Sequence, residues 1–396
     1  MHIKSIREAK NLKERRVFLR SDFNVPIVKG KILDDYKLIS SLPTIRFLLS
    51  NKCKIIIGTH LGSPKGKSSA FSTKPIALRL GRMLGKKIKF VNDCIGAKVE
   101  KEIEKMKDGE ILFLENLRFY KEEKKNKKSF AKKLARLADI YVNDAFGVSH
   151  RKHASVSAIR KYLPHYAGLL MEKEILNLNK ILHPSKPFVV VMGGAKIATK
   201  LQILERFEGK ADYILLGGSL ANTLLSILGY EVGKSRVETD DMSLTHQLIS
   251  FYKRCKNKKV ILPLDFAVSQ SKDGKGNAKI KTLGNVDKKD YIFDIGPKTI
   301  SFYAKFIKKG NTIVWNGPLG MFENSHFKHG TISIARTIAA RSTGAAFGVA
   351  GGGETVEALK ATHMMDYVDW VSTGGGAMLS YLNGEKMPGL KGIVRR

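Results

Sequence analysis

Acidic residues are scarce in this chain. Its 396 residues hold 36 Asp and Glu against 70 Lys and Arg, a formal net charge of +34. A surface so poor in carboxylates suits nucleic acid, an anionic membrane or small polyanionic substrates. The excess is mostly lysine, 52 Lys to 18 Arg, spread from end to end, a pattern that lysine-rich codon bias also produces. Its densest run, Lys121–Lys133, reads as a solvated helix start and has no interleaved aromatics on which bases would stack. Nucleic acid is therefore not expected as a main partner.

Cysteine is nearly absent too. Cys53, Cys94 and Cys255 are odd in number and lack CxxC spacing, which excludes a disulfide framework and a zinc site and points to a reducing, cytoplasmic setting. Met1–Lys10 has no apolar stretch of the kind a secretory signal needs. The longest charge-free apolar run, Tyr213–Tyr230, is broken by Gly-Gly, Ser and Asn, so it reads as strand, turn and helix, and no membrane partner is expected. Also missing are the Walker A loop, the GxGxxG fingerprint, a GxSxG elbow and any His/Cys/Asp cluster with metal-ligand spacing.

What is present is a rhythm of apolar strand, polar or Gly-rich turn, and helical pattern, repeated on both sides of one stretch. That stretch, Ala167–Leu182, has Leu169, Leu170, Ile175, Leu178, Ile181 and Leu182 near helical spacing and runs into a Pro-bounded link, His183–Pro187. Single cores rarely grow past about 250–300 residues. The reading is thus α/β: two doubly wound, parallel-sheet, Rossmann-like lobes joined by a helical hinge. The lobes span 1–166 and 188–383, with 167–187 as the joint.

In the first half the strands expected are Val17–Arg20, Lys54–Gly58, Lys87–Val91, Ile111–Leu114 and Asp139–Val142, with helices such as Lys37–Leu49 and Ile76–Leu84 between them. Ligands of such sheets sit beyond the carboxyl ends of the strands. There the chain places Asp22 and Asn24, His60, Ser63 and Lys65, then Glu115, Asn116 and Arg118, and finally Asn143, Asp144, His150 and Arg151. Two arginines, two histidines and a lysine on one sheet edge would form a site for a small, multiply charged anion.

In the second half glycine takes those places. Phe188–Met192, Tyr213–Leu216, Thr312–Trp315, Ala345–Ala350 and Asp369–Val371 run into GGAKIATK, GGSLANT, NGPLGMFE, GGGET and STGGG. Glycine lets backbone N–H groups approach a ligand, and helix N-termini attract phosphate. Lys196 and Lys200 would neutralise phosphate, and Glu323 or Glu354 would hold ribose hydroxyls or Mg²⁺. An anion site and a nucleotide site together suggest phosphoryl transfer.

The strings RSDFNVP, HLG-PKG, ENLRFY, DAFG–HR-HAS, GGAK--TK, IGPKT, TIVWNGP-G-FE, GGGET and STGGGA, in this order, resemble the phosphoglycerate kinase family over essentially the whole chain. The resemblance implies reversible phosphoryl transfer between Mg-ATP and the carboxylate of 3-phosphoglycerate, making ATP from 1,3-bisphosphoglycerate and ADP in glycolysis. It also implies a cytoplasmic, hinge-bending monomer whose tail, 384–396, packs back on the first lobe. Carried over residue by residue, the triose would meet Asp22, Phe23, Asn24, Lys37, His60, Leu61, Gly62, Ser63, Arg118 and Arg151. The nucleotide would meet Lys196, Lys200, Asn316, Glu323, Gly352, Gly353, Glu354 and Thr355, with Glu354 at the magnesium. Lys37, Lys200 and Gly375 would serve the transfer itself.

Three positions depart from the family pattern. Lys37 and Ser63 stand where it has arginines, and Glu354 stands where it has aspartate. Weakened triose binding and reduced turnover are expected from the two lost guanidinium forks. These departures and the +34 charge also support a competing reading, a decayed, non-catalytic basic binding protein on the same fold.

Overall fold

A computed structural model describes residues 1–255, 259–274 and 278–395, so Arg396 of the expected tail lies outside the described residues. The chain divides into two compact units, Met1–Leu176 with Glu385–Arg396, and Asn177–Gly384.

The first unit is built on a six-stranded parallel sheet: β1 (Arg16–Arg20), β2 (Lys54–Gly58), β3 (Lys89–Val91), β4 (Ile111–Leu114), β5 (Ile140–Asn143) and β6 (His165–Ala167), in the order β3-β4-β2-β1-β5-β6. Strand alternation sends successive side chains to opposite faces. Val17, Leu19, Ile55 and Ile57 enter one core, while Phe18, Ile56 and Leu112 enter the core on the other face. Each such buried side chain stabilises by about 1.5–3 kcal/mol, which is why the strands are near-continuous apolar runs.

Two expectations need correction here. Ala167 does not open the joint helix; it ends β6, which pairs in parallel with Tyr141–Asn143, and after Gly168 the helix runs Leu169–Leu182. Lys121–Lys133 is not one solvated helix start but two short helices, Lys121–Lys124 and Lys128–Arg136, and Glu123 within it is fully buried. The joint helix buries Leu169, Leu170, Ile175, Leu178 and Ile181 as its spacing indicates, and it also buries Glu174. The boundary between the units falls inside this helix, after Leu176.

The second unit repeats the plan with β7 (Phe188–Met192), β8 (Tyr213–Leu216), β9 (Val260–Ile261), β10 (Thr312–Asn316), β11 (Phe347–Gly351) and β12 (Trp370–Ser372), all parallel, in the order β9-β8-β7-β10-β11-β12. A three-stranded antiparallel sheet, Asp265–Ser269 between Lys279–Thr282 and Tyr291–Ile295, is added to it. Among the described residues no helix is long and apolar enough to cross a membrane, and all three cysteines are free and buried.

Candidate active site

In the first unit the polar groups gather at the carboxyl ends of β1, β2 and β4 and in the loop after β5. Arg20, the last residue of β1, is completely buried. Its Nε donates to Ser155 Oγ at 2.8 Å, its Nη1 to the Ser21 carbonyl at 2.5 Å, and its Nη2 lies 3.3 Å from His60 Nδ1. Glu123 fixes the serine in turn, accepting from Ser155 N–H at 2.9 Å and from its hydroxyl at 2.6 Å. Lys37 donates to Asp22 at 3.0 Å. Burial opposes charge on Asp22, but Lys37 and Arg20 outweigh it and hold the carboxyl well below its usual range. Burial keeps His60 neutral, with Arg20, Arg118 and Lys37 acting the same way against the pull of Asp22.

A second chain of contacts adjoins the first. Asn24 accepts from Gly62 N–H at 2.8 Å, and Arg118 Nη1 donates to the Gly62 carbonyl at 2.6 Å. The Nε and Nη2 of Arg118 are buried and have no partner. Burial, with repulsion from Arg151 and Arg20, brings the Arg118 guanidinium down to about 10. Buried donors are normally satisfied, so two idle N–H groups on a cation mark a socket for an anion. Arg151, exposed, donates from Nε to His150 at 3.3 Å. Phe23 and Leu61 are buried: Phe23 stacks on Phe113 with centroids 6.2 Å apart, and its N–H donates to Thr59 Oγ1 at 3.0 Å. Ser63 accepts from the Lys124 ammonium at 2.5 Å. A positive charge therefore lies beside the position where the family pattern has arginine.

In the second unit β7 delivers Gly193 and Gly194, where a Cβ on Gly193 would run into the Pro318 carbonyl. Lys196 then takes a left-handed φ of 65° and opens the helix Ile197–Phe207. The N–H groups of Lys196 and Ile197 both donate to Glu238, at 3.2 and 3.1 Å, so a carboxylate of the chain occupies this helix start. The Lys196 side chain is exposed, while Lys200 is buried one turn on. Lys200 donates to Asn316 Oδ1 at 3.3 Å, Asn316 donates to the Gly351 carbonyl at 2.6 Å, and Gly317 N–H donates to Thr355 Oγ1 at 2.7 Å. Burial lowers the Lys200 ammonium to about 8 despite the nearby Glu354 and Glu238.

Gly352, with φ at 101°, and Gly353 lead into the helix Gly353–Ala361, whose first turn carries Glu354. A Cβ on Gly194 would lie 3.4 Å from both Glu354 Oε2 and Lys200 Nζ, so these three groups converge. Glu323 and Glu354 line one cleft of about 720 Å³ together with Gly194, Gly218 and Leu319. Gly375 opens the helix Gly376–Leu382 at the end of β12.

Five residues of this network escaped sequence reasoning: Arg20, Glu123, Lys124, Ser155 and Glu238. Arg20 carried the only available signal, a charged residue ending an apolar strand. A buried arginine with idle N–H groups at one parallel-sheet edge, and a buried lysine among glycine turns at another, define a phosphate-handling α/β protein, the class to which phosphotransferases belong.

The family model for phosphoglycerate kinase matches residues 6–385. The phosphoglycerate kinase of Dictyoglomus turgidum is 44% identical over 381 residues, covering 96% of each chain, and that of Moorella thermoacetica is 41% identical over 387 residues, covering 97% of this chain and 98% of its own. The solved phosphoglycerate kinase of Coxiella burnetii superposes with a TM-score of 0.86 at 35% identity, covering 99% of both chains. The chain belongs to the phosphoglycerate kinase family. It is accordingly a phosphotransferase of glycolysis on a two-sheet α/β fold, and the reading of a decayed binding protein is not favoured. The family works with Mg-ATP.

Proposed function

We propose that this chain moves a phosphoryl group between Mg-ATP and the carboxylate of 3-phosphoglycerate, with the triose on the first unit and the nucleotide on the second. The observation that carries the residue assignment is Arg118, with two buried N–H groups lacking partners beside Arg20, His60 and Arg151. Arg118 and Arg151 would take the triose phosphate, and Asp22, Asn24 and neutral His60 its hydroxyl and carboxylate end. Phe23 and Leu61, held in the core, would offer only backbone, as would Gly62. Lys37, half-buried and tied to Asp22, would neutralise charge on the transferring group.

On the second unit Lys200 would meet nucleotide phosphates, with Lys196 nearby and Asn316 and Thr355 holding the glycine turns in place. Gly352, Gly353 and Gly375 would present backbone N–H groups, and Glu323 would bind the ribose. The residues present fit magnesium. Among the described residues no three His, Cys, Asp or Glu side chains form a ready-made cage. Magnesium, however, is usually held by one or two carboxylates plus substrate phosphates, and Glu354 converges with Lys200 on Gly194. Bound there, the ion would neutralise phosphate charge. The acceptor carboxylate is ionised at neutral pH, so the chain needs no general base, and its own part is positioning and charge stabilisation. Cytoplasmic location and a monomeric state belong to the same proposal.

Coupled assays of ATP formation from 1,3-bisphosphoglycerate and Mg-ADP test this reading. Wild type is expected to turn over, Lys37→Arg to turn over faster, and Lys124→Met to raise the KM for 1,3-bisphosphoglycerate about tenfold, the scale of one charged hydrogen bond. Absence of ATP formation would sink the proposal. An unchanged KM in Lys124→Met would remove Lys124 as the stand-in for the charge missing at Ser63.

A further inference from the structure

A cavity of about 690 Å³ on the first unit, apart from the residues assigned above, is walled by Lys128, Lys152, Lys161, Lys386, Lys391 and Arg160. No Asp or Glu lines it. Four other cavities, of about 380–720 Å³, each include at least one carboxylate in their lining, so this cavity stands out from the basic background of the whole chain.

Its walls are built rather than incidental. Arg160 donates from Nε to the Val156 carbonyl at 3.1 Å and from Nη2 to the Pro388 carbonyl at 2.5 Å, and its Nη1 donates to the Lys391 carbonyl. The guanidinium therefore braces the returning tail and adds charge without spending a donor on a ligand. The tail is held again where Gly389 N–H donates to the Ser149 carbonyl at 2.8 Å and Asn143 Nδ2 donates to the Gly389 carbonyl at 3.1 Å. The five lysines are exposed at their ends and make no ion pair among the described residues. Ser157 and Asn126 add polar groups to the wall, and the Asn126 amide oxygen is buried without a partner.

We propose that this cavity binds a small, multiply charged phosphate-type anion, a chain of several phosphates rather than one. Ammonium groups act on phosphate as point charges from several directions, which suits a flexible polyphosphate better than a planar carboxylate. The volume lies in the range of sites for ligands much larger than orthophosphate, about 300–1,000 Å³. An anion there relieves the mutual repulsion of six cations and ties the tail to the body of the unit.

The test is calorimetric titration of the full chain with sodium tripolyphosphate, in magnesium-free buffer at physiological ionic strength, with 3-phosphoglycerate and ADP saturating their own sites. One tripolyphosphate per chain is expected to bind, more tightly than pyrophosphate or orthophosphate. Replacing Lys128, Lys161 and Lys386 together by Gln should weaken it by about tenfold or more, with kinase activity unchanged, and replacing all three by Arg should restore it. Binding abolished by the two substrates would overturn the proposal, as would equal binding by the Gln variant. Single-stranded RNA competing with an affinity that rises with its length would overturn it in favour of a nucleic-acid surface.

Discussion

Replacing Arg118 by Met separates what this residue does for the ligand from what it does for the fold. The side chain makes one hydrogen bond, from Nη1 to the Gly62 carbonyl, and leaves Nε and Nη2 buried and unpaired. Charge-assisted hydrogen bonds contribute about 1.5–3 kcal/mol each, so losing two from the bound state removes about 3–6 kcal/mol, roughly a hundredfold to ten-thousandfold in triose affinity. The free protein behaves differently. Met gives up one bond but removes a buried cation that Arg151 and Arg20 repel, so the melting temperature is expected to hold or rise. Arg118→Lys keeps the charge without the fork and should fall between wild type and Met in triose affinity. Steady-state kinetics with 3-phosphoglycerate and Mg-ATP varied in turn, alongside thermal melts of the free protein, read both effects. The KM for ATP should stay constant. A KM for 3-phosphoglycerate within about threefold of wild type would refute the anion socket, and a collapse in melting temperature would make Arg118 a structural tie instead.

Two further outcomes follow from buried titratable groups. Burial raises Asp144 to about 7, although Thr44 and the N–H groups of Met171 and Leu170 bond it, and raises Asp294 to about 8, although Gly330 and Ile295 N–H groups bond it. A carboxyl raised in the folded state contributes stability that is complete below its unfolded pKa and lost as pH rises through the folded one. Melting temperature should therefore fall between about pH 4 and 8, and the paired Asp144→Asn, Asp294→Asn variant should flatten that fall; parallel curves would refute it. Lys200, lowered to about 8 by burial, is largely neutral above that pH in the free protein. Nucleotide phosphates favour its charged form, so ADP binding at about pH 8.5 should take up a proton, seen by calorimetry in two buffers of different ionisation enthalpy. Lys200→Met should abolish the uptake, and an uptake that persists would clear Lys200 of that role.

The parallel strands were legible because each is buried on both faces and so apolar throughout, as in Ile111–Leu114 and Phe188–Met192. The glycine turns were legible because close backbone approach leaves no room for a side chain, as at Gly193. β6 was not, since His-Tyr-Ala is short and partly polar and becomes a strand only by pairing with β5. Glu123 was hidden for a related reason. Inside KEEKKNKK it reads as solvated, and only a partner 32 residues away, Ser155, makes it the buried support of Arg20. Lys124, adjacent to it, meets Ser63 across 61 residues of chain, a distance no local pattern reports. The groups that hold the candidate site residues still, Glu123 and Lys124 among them, are identified only by the fold.

The returning tail has a consequence for how the molecule is made. Val394–Arg395 pairs with His2–Ile3, and Lys4 N–H donates to the Ile393 carbonyl at 2.8 Å, so strands from opposite ends of the chain lie side by side in the first unit. Synthesis runs from the amino end, and the whole of Asn177–Gly384 lies between the two pieces. At about 5–20 residues per second, roughly 10–40 s separate the two pieces of the first unit on the ribosome. During that interval its β-sheet can form, but the edge that receives the tail stays bare, and the second unit can mature before the first is sealed. Loss of the tail from Glu385 onward would thus injure the unit translated first.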